Sequence, residues 1–219
     1  MIFSYITIIG FLAQILFSAR ILVQWIMSEK AKKIVSPSIY WVLSLLASYL
    51  MFVYGWLRDD FSIILGQFIS YYIYIWNLNK KGLLDKIPKI FTYILIATPI
   101  VVMLFLVKDA GTFVDQFFHD EDIPLYLITI GVIGQLTFTL RFVYQWVYSF
   151  RRHISVLPIG FWIISIIGSG IIIAYAIMRL DIVLIVGQSC GFIAYGRNVI
   201  LGHKEKKLIK EKKLIKEKI

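Results

Sequence analysis

Acidic residues are scarce in this chain and cysteine is almost missing. Its 219 residues hold 13 Asp and Glu against 23 Lys and Arg, with one Cys and three His. A lone cysteine, Cys190, excludes an intramolecular disulfide and any multi-thiolate metal site. The histidines, His119, His153 and His203, fall in loops or the tail and form no pair at metal-ligand spacing. No Ser/His/Asp or Cys/His set is visible, and no glycine-rich phosphate loop. The apolar stretches carry almost no carboxylate, so an acid/base pair or a proton relay lacks its parts. From these absences the chain is not expected to be an enzyme, and neither a metal nor a cofactor is expected.

Charge is low overall. Charged residues make up 16% of the chain and hydrophobic residues 59%, with a mean hydropathy of +0.80. Soluble domains are about a quarter charged, so the composition is that of a membrane protein. The net charge of +10 is not a nucleic-acid footprint, because about half of it sits in the tail KEKKLIKEKKLIKEK after Gly202. The first apolar run lacks a small-residue cleavage site and reads as a retained helix, not a signal peptide.

What the chain does have is a repeat. A shift of 121 residues places Gly10–Leu78 on Gly131–Val199 without a gap, and about 20 of about 69 positions are identical. QILFSARILVQW, at 14–25, returns as QLTFTLRFVYQW, at 135–146. The matched pairs include Gln14/Gln135, Arg20/Arg141, Gln24/Gln145, Trp25/Trp146, Pro37/Pro158, Trp41/Trp162, Ser44/Ser165 and Ser48/Ser169. They continue with Tyr54/Tyr175, Arg58/Arg179, Asp60/Asp181, Gly66/Gly187, Gln67/Gln188, Tyr74/Tyr195 and Asn77/Asn198.

Each copy holds three apolar runs, roughly 5–27, 38–57 and 61–78 in the first and 125–148, 159–178 and 182–200 in the second. Each is long enough, or nearly so, to cross ~30 Å of hydrocarbon as a helix. One further run, 90–107, interrupted by Pro99, lies between the copies. The expected fold is all-α and integral to the membrane, with seven transmembrane helices arranged 3+1+3 as two parallel three-helix repeats. The expected domains are a first repeat at 1–79, a linker with one helix at 80–123, a second repeat at 124–202 and a basic cytoplasmic tail at 203–219. Parallel repeats typically place a substrate path between them. The connections SEKAKKIVSP, NKKGLLDKIPK and SFRRHISVLP are basic, whereas RDD, RLD and KDAGTFVDQFFHDED are acidic. Positive residues favour the cytoplasmic side, which puts the N-terminus outside and the C-terminus inside.

Arg20 and Arg141 lie well inside their helices, and an intramembrane Arg usually faces a bundle interior or a wet cavity. Gln24 and Gln145 follow one turn later on the same face, so each pair offers a planar cation beside an amide, suited to phosphate or sugar hydroxyls. The alternative is that these groups bind backbone carbonyls and fix the bundle. Gln14, Gln135, Gln67 and Gln188 sit deeper and either bridge helices or line a polar path. Asn77 and Asn198 are expected to close the third helix of each copy, as caps or as ligand contacts. Ser44, Ser48, Ser165 and Ser169 read as a packing face. Asp60 and Asp181 read as helix N-caps with Arg58 and Arg179 as anchors beside them. Trp25, Trp41, Trp146 and Trp162 read as an aromatic belt. The basic tail is either a solvated helix or a contact for anionic lipid.

The words RILVQWIMSEK, SPSIYWVLSLLASYL and YGWLRDDFSIILGQ resemble the lipid-A biosynthesis N-terminal domain family. RFVYQW, LPIGFWIISIIGSG and RLDIVLIVGQ look like a second, diverged copy of it. That family is related to the three-helix units of SWEET and PQ-loop membrane proteins, which share the three-one-three layout and an outer N-terminus. Asparagines on the third and seventh helices bind sugar in SWEETs, and Asn77 and Asn198 fall on the corresponding helices. Membrane prolines act as hinges there, whereas Pro37 and Pro158 stand at helix starts. The resemblance implies a bacterial inner-membrane protein of lipid A or envelope glycolipid biosynthesis. The first expectation is a transporter or flippase for a lipid-linked saccharide or polyprenyl phosphate. Arg20, Gln24, Arg141 and Gln145 would hold the head, and Gln14, Gln67, Gln135 and Gln188 would line the path. One alternative is a non-transporting subunit that binds lipid-A-type intermediates or docks a peripheral glycosyltransferase. The other is a SWEET-like small-solute carrier. The expected partners are membrane lipids, anionic or saccharide-bearing, and no nucleic acid.

Overall fold

The computed structural model describes residues 5–57, 61–106, 125–178, 180 and 182–216. Among these the chain is all-helical. The helices are α1 (Tyr5–Ala31), α2 (Ser38–Leu57), α3 (Phe61–Lys80), α4 (Lys89–Leu106), α5 (Leu125–Arg151), α6 (Ile159–Met178) and α7 (Ile182–Lys216), with a single 3-10 turn at Leu84–Lys86. Among the described residues, two stretches are long and apolar enough to cross a membrane, Ile8–Ala31 and Ile159–Met178, and two shorter apolar stretches are Ser38–Tyr54 and Lys89–Val101. The helices thus match the expected number and order, while two of them meet the length and composition of a span.

One expected boundary moves far. The third helix of the second copy does not stop at Ile200: α7 continues unbroken through the basic stretch to Lys216. Hydropathy falls there, but Lys, Glu and Leu are all good helix formers, so the backbone has no reason to end where the apolar run does. Asn198 therefore lies inside a helix and not at its cap. Asn77 also bonds backward within its helix, donating to the Ile73 carbonyl at 2.8 Å. The expected caps Asp60 and Asp181, the anchors Arg58 and Arg179, and the acidic stretch 115–122 lie outside the described residues.

The chain forms two compact units that do not coincide with a simple split at the linker. One comprises Met1–Ala19 and Trp41–Ile128, the other Arg20–Tyr40 and Thr129–Ile219. In the first, a Cβ added at Gly10 would meet the Tyr54 ring at 2.8 Å, so α1 and α2 approach closely there. Ser48 donates to the Gln67 side-chain oxygen at 2.9 Å, tying α2 to α3. Tyr71 donates to the Leu95 carbonyl at 3.0 Å and ties α3 to α4. The second unit repeats the first of these devices: a Cβ at Gly131 would meet Tyr175 at 3.1 Å. Gly168 is tighter still, because a Cβ there would lie 2.9 Å from the Phe138 backbone nitrogen. Small residues are what let membrane helices pack at such distances.

The aromatic-belt expectation fails at two of its four members. Trp41 and Trp162 are fully buried. Each sits four residues after a proline, at the first turn of α2 or α6, on the face that packs inward. Trp41 packs against Tyr74 with ring centroids 6.1 Å apart, and Trp162 against Phe161 at 4.8 Å and Tyr195 at 6.0 Å.

Candidate functional site

The second unit brings both repeated arginines to one phenyl ring. Arg20 comes from the later half of α1 and Arg141 from α5, and they are 4% and 3% exposed. The Arg20 guanidinium lies 5.3 Å from the Phe142 centroid and that of Arg141 4.7 Å from the same ring. Arg20 also stands 5.4 Å from the Tyr40 ring. Arg141 lies over Phe138 at 3.3 Å, with Phe161 and Tyr195 at 5.5 and 5.7 Å. Its polar partners are hydroxyls: it donates to Tyr195 at 3.3 Å and to Ser165 at 3.5 Å. Arg141 Nε and the neighbouring Trp162 Nε1 are buried without a hydrogen-bond partner.

A buried guanidinium is costly unless it is paired. Among the described residues Arg141 meets hydroxyls and ring faces, and neither neutralises its charge. Ring quadrupoles attract a cation and offset part of its desolvation, but they leave the Arg141 charge in an apolar setting. What such a site can do chemically is accept an anion, with planar N–H forks matched to phosphate or carboxylate oxygens.

Gln24 and Gln145 do something different from the arginines one turn before them. Both are fully buried. The Gln24 amide donates to Ser28 Oγ at 2.8 Å and to the Val35 carbonyl at 3.2 Å. Gln145 donates to Ser149 Oγ and the Val156 carbonyl, both at 2.9 Å. The two serines accept in turn from the Val35 and Val156 amides, at 3.2 Å each. Gln and Ser thereby clamp the same loop valine in each copy, two residues before Pro37 or Pro158. Lys32 and His153, also 121 apart, hold left-handed φ angles of 54° and 56° at the ends of the preceding helices. The first copy adds one feature: Gln24 donates to Asn198 Oδ1 at 2.9 Å, and Asn198 donates back to Gln24 Oε1 at 3.0 Å. Beside this amide pair, Arg197 makes a forked ion pair with Glu29, one arm of which measures 3.1 Å.

The remaining candidates are scattered. Gln14 and Gln135 are exposed, and Gln67 and Gln188 are half-buried. The Gln188 carbonyl accepts from Ser169 at 3.4 Å. Asn77 is fully buried in the first unit. Sequence reasoning passed over Ser28/Ser149 and Val35/Val156, although both pairs stand in the same 121-residue register. It also passed over Arg197 and Glu29, which have no counterparts in the repeat and so left no signal there. Among the described residues, no group of acidic, His and Cys side chains is arranged to hold a metal.

Residues 9–79 and 130–200, the stretches that carry the two arginines, each match the Lipid A Biosynthesis N-terminal domain. The chain belongs to that family. It is 29% identical over 91% of its length to a lipid-A-disaccharide synthase of Chlamydia felis (strain Fe/C-56), of which it covers 33%. With the synthase of Chlamydia pneumoniae the identity is 30%, over 91% of this chain and 34% of the relative. With that of Chlamydia trachomatis serovar D it is 28%, over 90% and 34%. This Lipid A Biosynthesis N-terminal domain chain therefore spans about a third of the curated relatives it matches. No solved structure matches it.

These relatives overturn one expectation. The missing catalytic constellation pointed away from an enzyme, yet proteins similar to nine-tenths of this chain bear an enzyme's name. Only a third of each relative aligns with the chain. A lack of catalytic residues in that third does not decide the activity of a protein built with it.

Proposed function

We propose that this chain is a multi-pass inner-membrane module of lipid A biosynthesis that binds the phosphate of a lipid-linked saccharide and transports it across the membrane. The observation that carries the reading is the convergence of Arg20 and Arg141 on Phe142, both buried. A phosphate would supply the charge that Arg141's hydroxyl and ring partners do not. Tyr195, which already meets Arg141, is placed to bond an oxygen of the same ligand or of its sugar. The membrane setting is supported by the long apolar helices and by large apolar side chains exposed on their outer faces, among them Ile15, Leu22, Ile94, Leu104, Leu140 and Ile167. In this reading seven helices cross, the basic connections face the cytoplasm, and the two matched stretches are pseudo-equivalent halves.

A second reading is favoured by the relatives' coverage. A segment that makes up a third of proteins named as a synthase is suited to presenting a lipid-linked intermediate to a catalytic domain, without moving it across. One experiment separates the readings. The full chain is reconstituted in liposomes with a fluorescent phosphate-bearing glycolipid, and its access to an external quencher is followed over time. Transport predicts leaflet exchange by the wild-type chain that Arg20→Gln/Arg141→Gln abolishes. Arginine-dependent binding of the glycolipid without exchange supports presentation and rejects transport. Binding that ignores both arginines rejects the site.

A further inference from the structure

The second copy differs in sequence from the first at the end of its first helix. The C-terminal turns of α5 and the residue after them line a cleft of about 270 Å³ formed by Tyr144, Val147, Tyr148, Arg151 and Arg152. Both arginines are exposed. The Arg152 guanidinium lies 4.4 Å from the Tyr148 ring centroid, which holds that planar cation against an aromatic face. The end of a helix carries partial negative charge, so cations are favoured there, and an anion needs them to be held.

The first copy shows that this cleft is more than a by-product of the repeat. At the same register it has Val23, Met27, Lys30 and Ala31 in place of Tyr144, Tyr148, Arg151 and Arg152. One further exchange accompanies these. Gly160, at the start of α6, replaces Ile39, and a Cβ at Gly160 would collide with the Tyr144 ring and hydroxyl. The second copy thus gives up a side chain where the tyrosine needs room. At these positions Val, Met and Ala have given way to two phenols and an arginine, and Lys30 to Arg151, while the Gln, Ser, Val and Pro of the loop clamp beside them stay identical.

We propose that this cleft is a docking site for an anionic lipid with a phosphomonoester head in the cytoplasmic leaflet, separate from the buried arginines. Its two guanidiniums match the charge of a phosphate, and its phenols and Val147 match the boundary between head group and acyl chain. Its volume falls just below the roughly 300–1,000 Å³ of pockets for drug-sized ligands, which suits a small head group and not an extended saccharide. The inference rests on the reading that the α5 end lies at the membrane surface.

The test is native mass spectrometry of the full chain released from nanodiscs of phosphatidylcholine with a minor share of phosphatidic acid. Arg151→Gln/Arg152→Gln is compared with Lys204→Gln/Lys206→Gln, which removes the same charge from the exposed part of α7. The cleft variant is expected to hold phosphatidic acid about tenfold more weakly, as for loss of a charge-assisted fork at a partly exposed site. The α7 variant should keep it, and phosphatidylcholine should be unaffected in both. Equal loss in the two variants, or loss in neither, overturns the proposal. Displacement of the lipid by millimolar inorganic phosphate also overturns it, in favour of a free-anion site. Gly160→Ile, which restores the first copy's residue, should weaken binding with no change in charge. Circular dichroism establishes that each variant is folded. Labelling a cysteine placed at His153 with a membrane-impermeant reagent tests the surface position by itself. A labelled site with no lipid selectivity removes the cleft proposal and leaves the transport reading standing.

Discussion

A buried side-chain amide is tolerable when its donors and acceptors are met, and Gln24 shows how this chain meets them. Its nitrogen reaches three acceptors and its oxygen takes a hydrogen from Asn198. The amide pair joins residues 174 apart in sequence. Removing one partner strands the other in the interior, which costs about 1–3 kcal/mol. Gln24→Ala and Asn198→Ala are each expected to destabilise by about that much. The double variant should cost less than the sum, because the second substitution removes a group already stranded. Unfolding in mixed micelles followed by circular dichroism measures all three; strict additivity would mean the two amides are not coupled. The partnership was not legible in the sequence. Spacing places Gln24 and Asn198 on helix faces but says nothing of which helix meets which, and the asparagines resembled caps because the apolar run ends near them.

Among elements, the connection from the first to the second helix of each copy is the best-specified piece of backbone. A helix ends at a left-handed residue, Lys32 or His153, and three residues later a valine is clamped through both its amide and its carbonyl. A proline then sets the entry to the next helix. Ser149→Ala removes the acceptor of the Val156 amide. Hydrogen exchange at that amide is expected to accelerate while exchange within α6 stays slow; unchanged protection at Val156 would show that the hydroxyl is not its acceptor. Much of this was readable, because the 121-residue register puts Gln, Ser, Val and Pro at matching places, and a duplication that keeps polar groups in apolar sequence marks them as needed. What could not be read was the kind of need. Arg and Gln one turn apart looked like one binding pair, whereas the structure gives the amide to the loop and the guanidinium to an aromatic box. Trp41 and Trp162 misled for a similar reason: proximity to a loop suggests an interface, but the first turn of a helix has an inner face as well.

For the whole molecule the charge distribution makes a firm prediction. With Cys190 replaced by serine, single cysteines at His153 and Lys204 should react from the cytoplasmic side of sealed vesicles, and one at Tyr126 from the opposite side. Labelling of all three from one side would rule out the seven-crossing topology. Helix count and order were plain from the apolar runs, since each is bounded by charge or proline. The extent of α7 was not, and it bears on what the basic segment can touch. Thirty-five residues of α-helix are about 52 Å long. Some ~30 Å of that suffices for the hydrocarbon. In the seven-crossing reading, a straight α7 would carry its last lysines about 20 Å beyond the hydrocarbon, whereas electrostatic attraction fades over a screening length of about 8 Å at physiological salt. The lysines nearest the bilayer would feel an anionic surface and the farthest would be nearly deaf to it. On that reading an unbent α7 would be less a lipid anchor than a stiff spacer, with its outer end placed to meet a soluble, negatively charged partner held clear of the membrane.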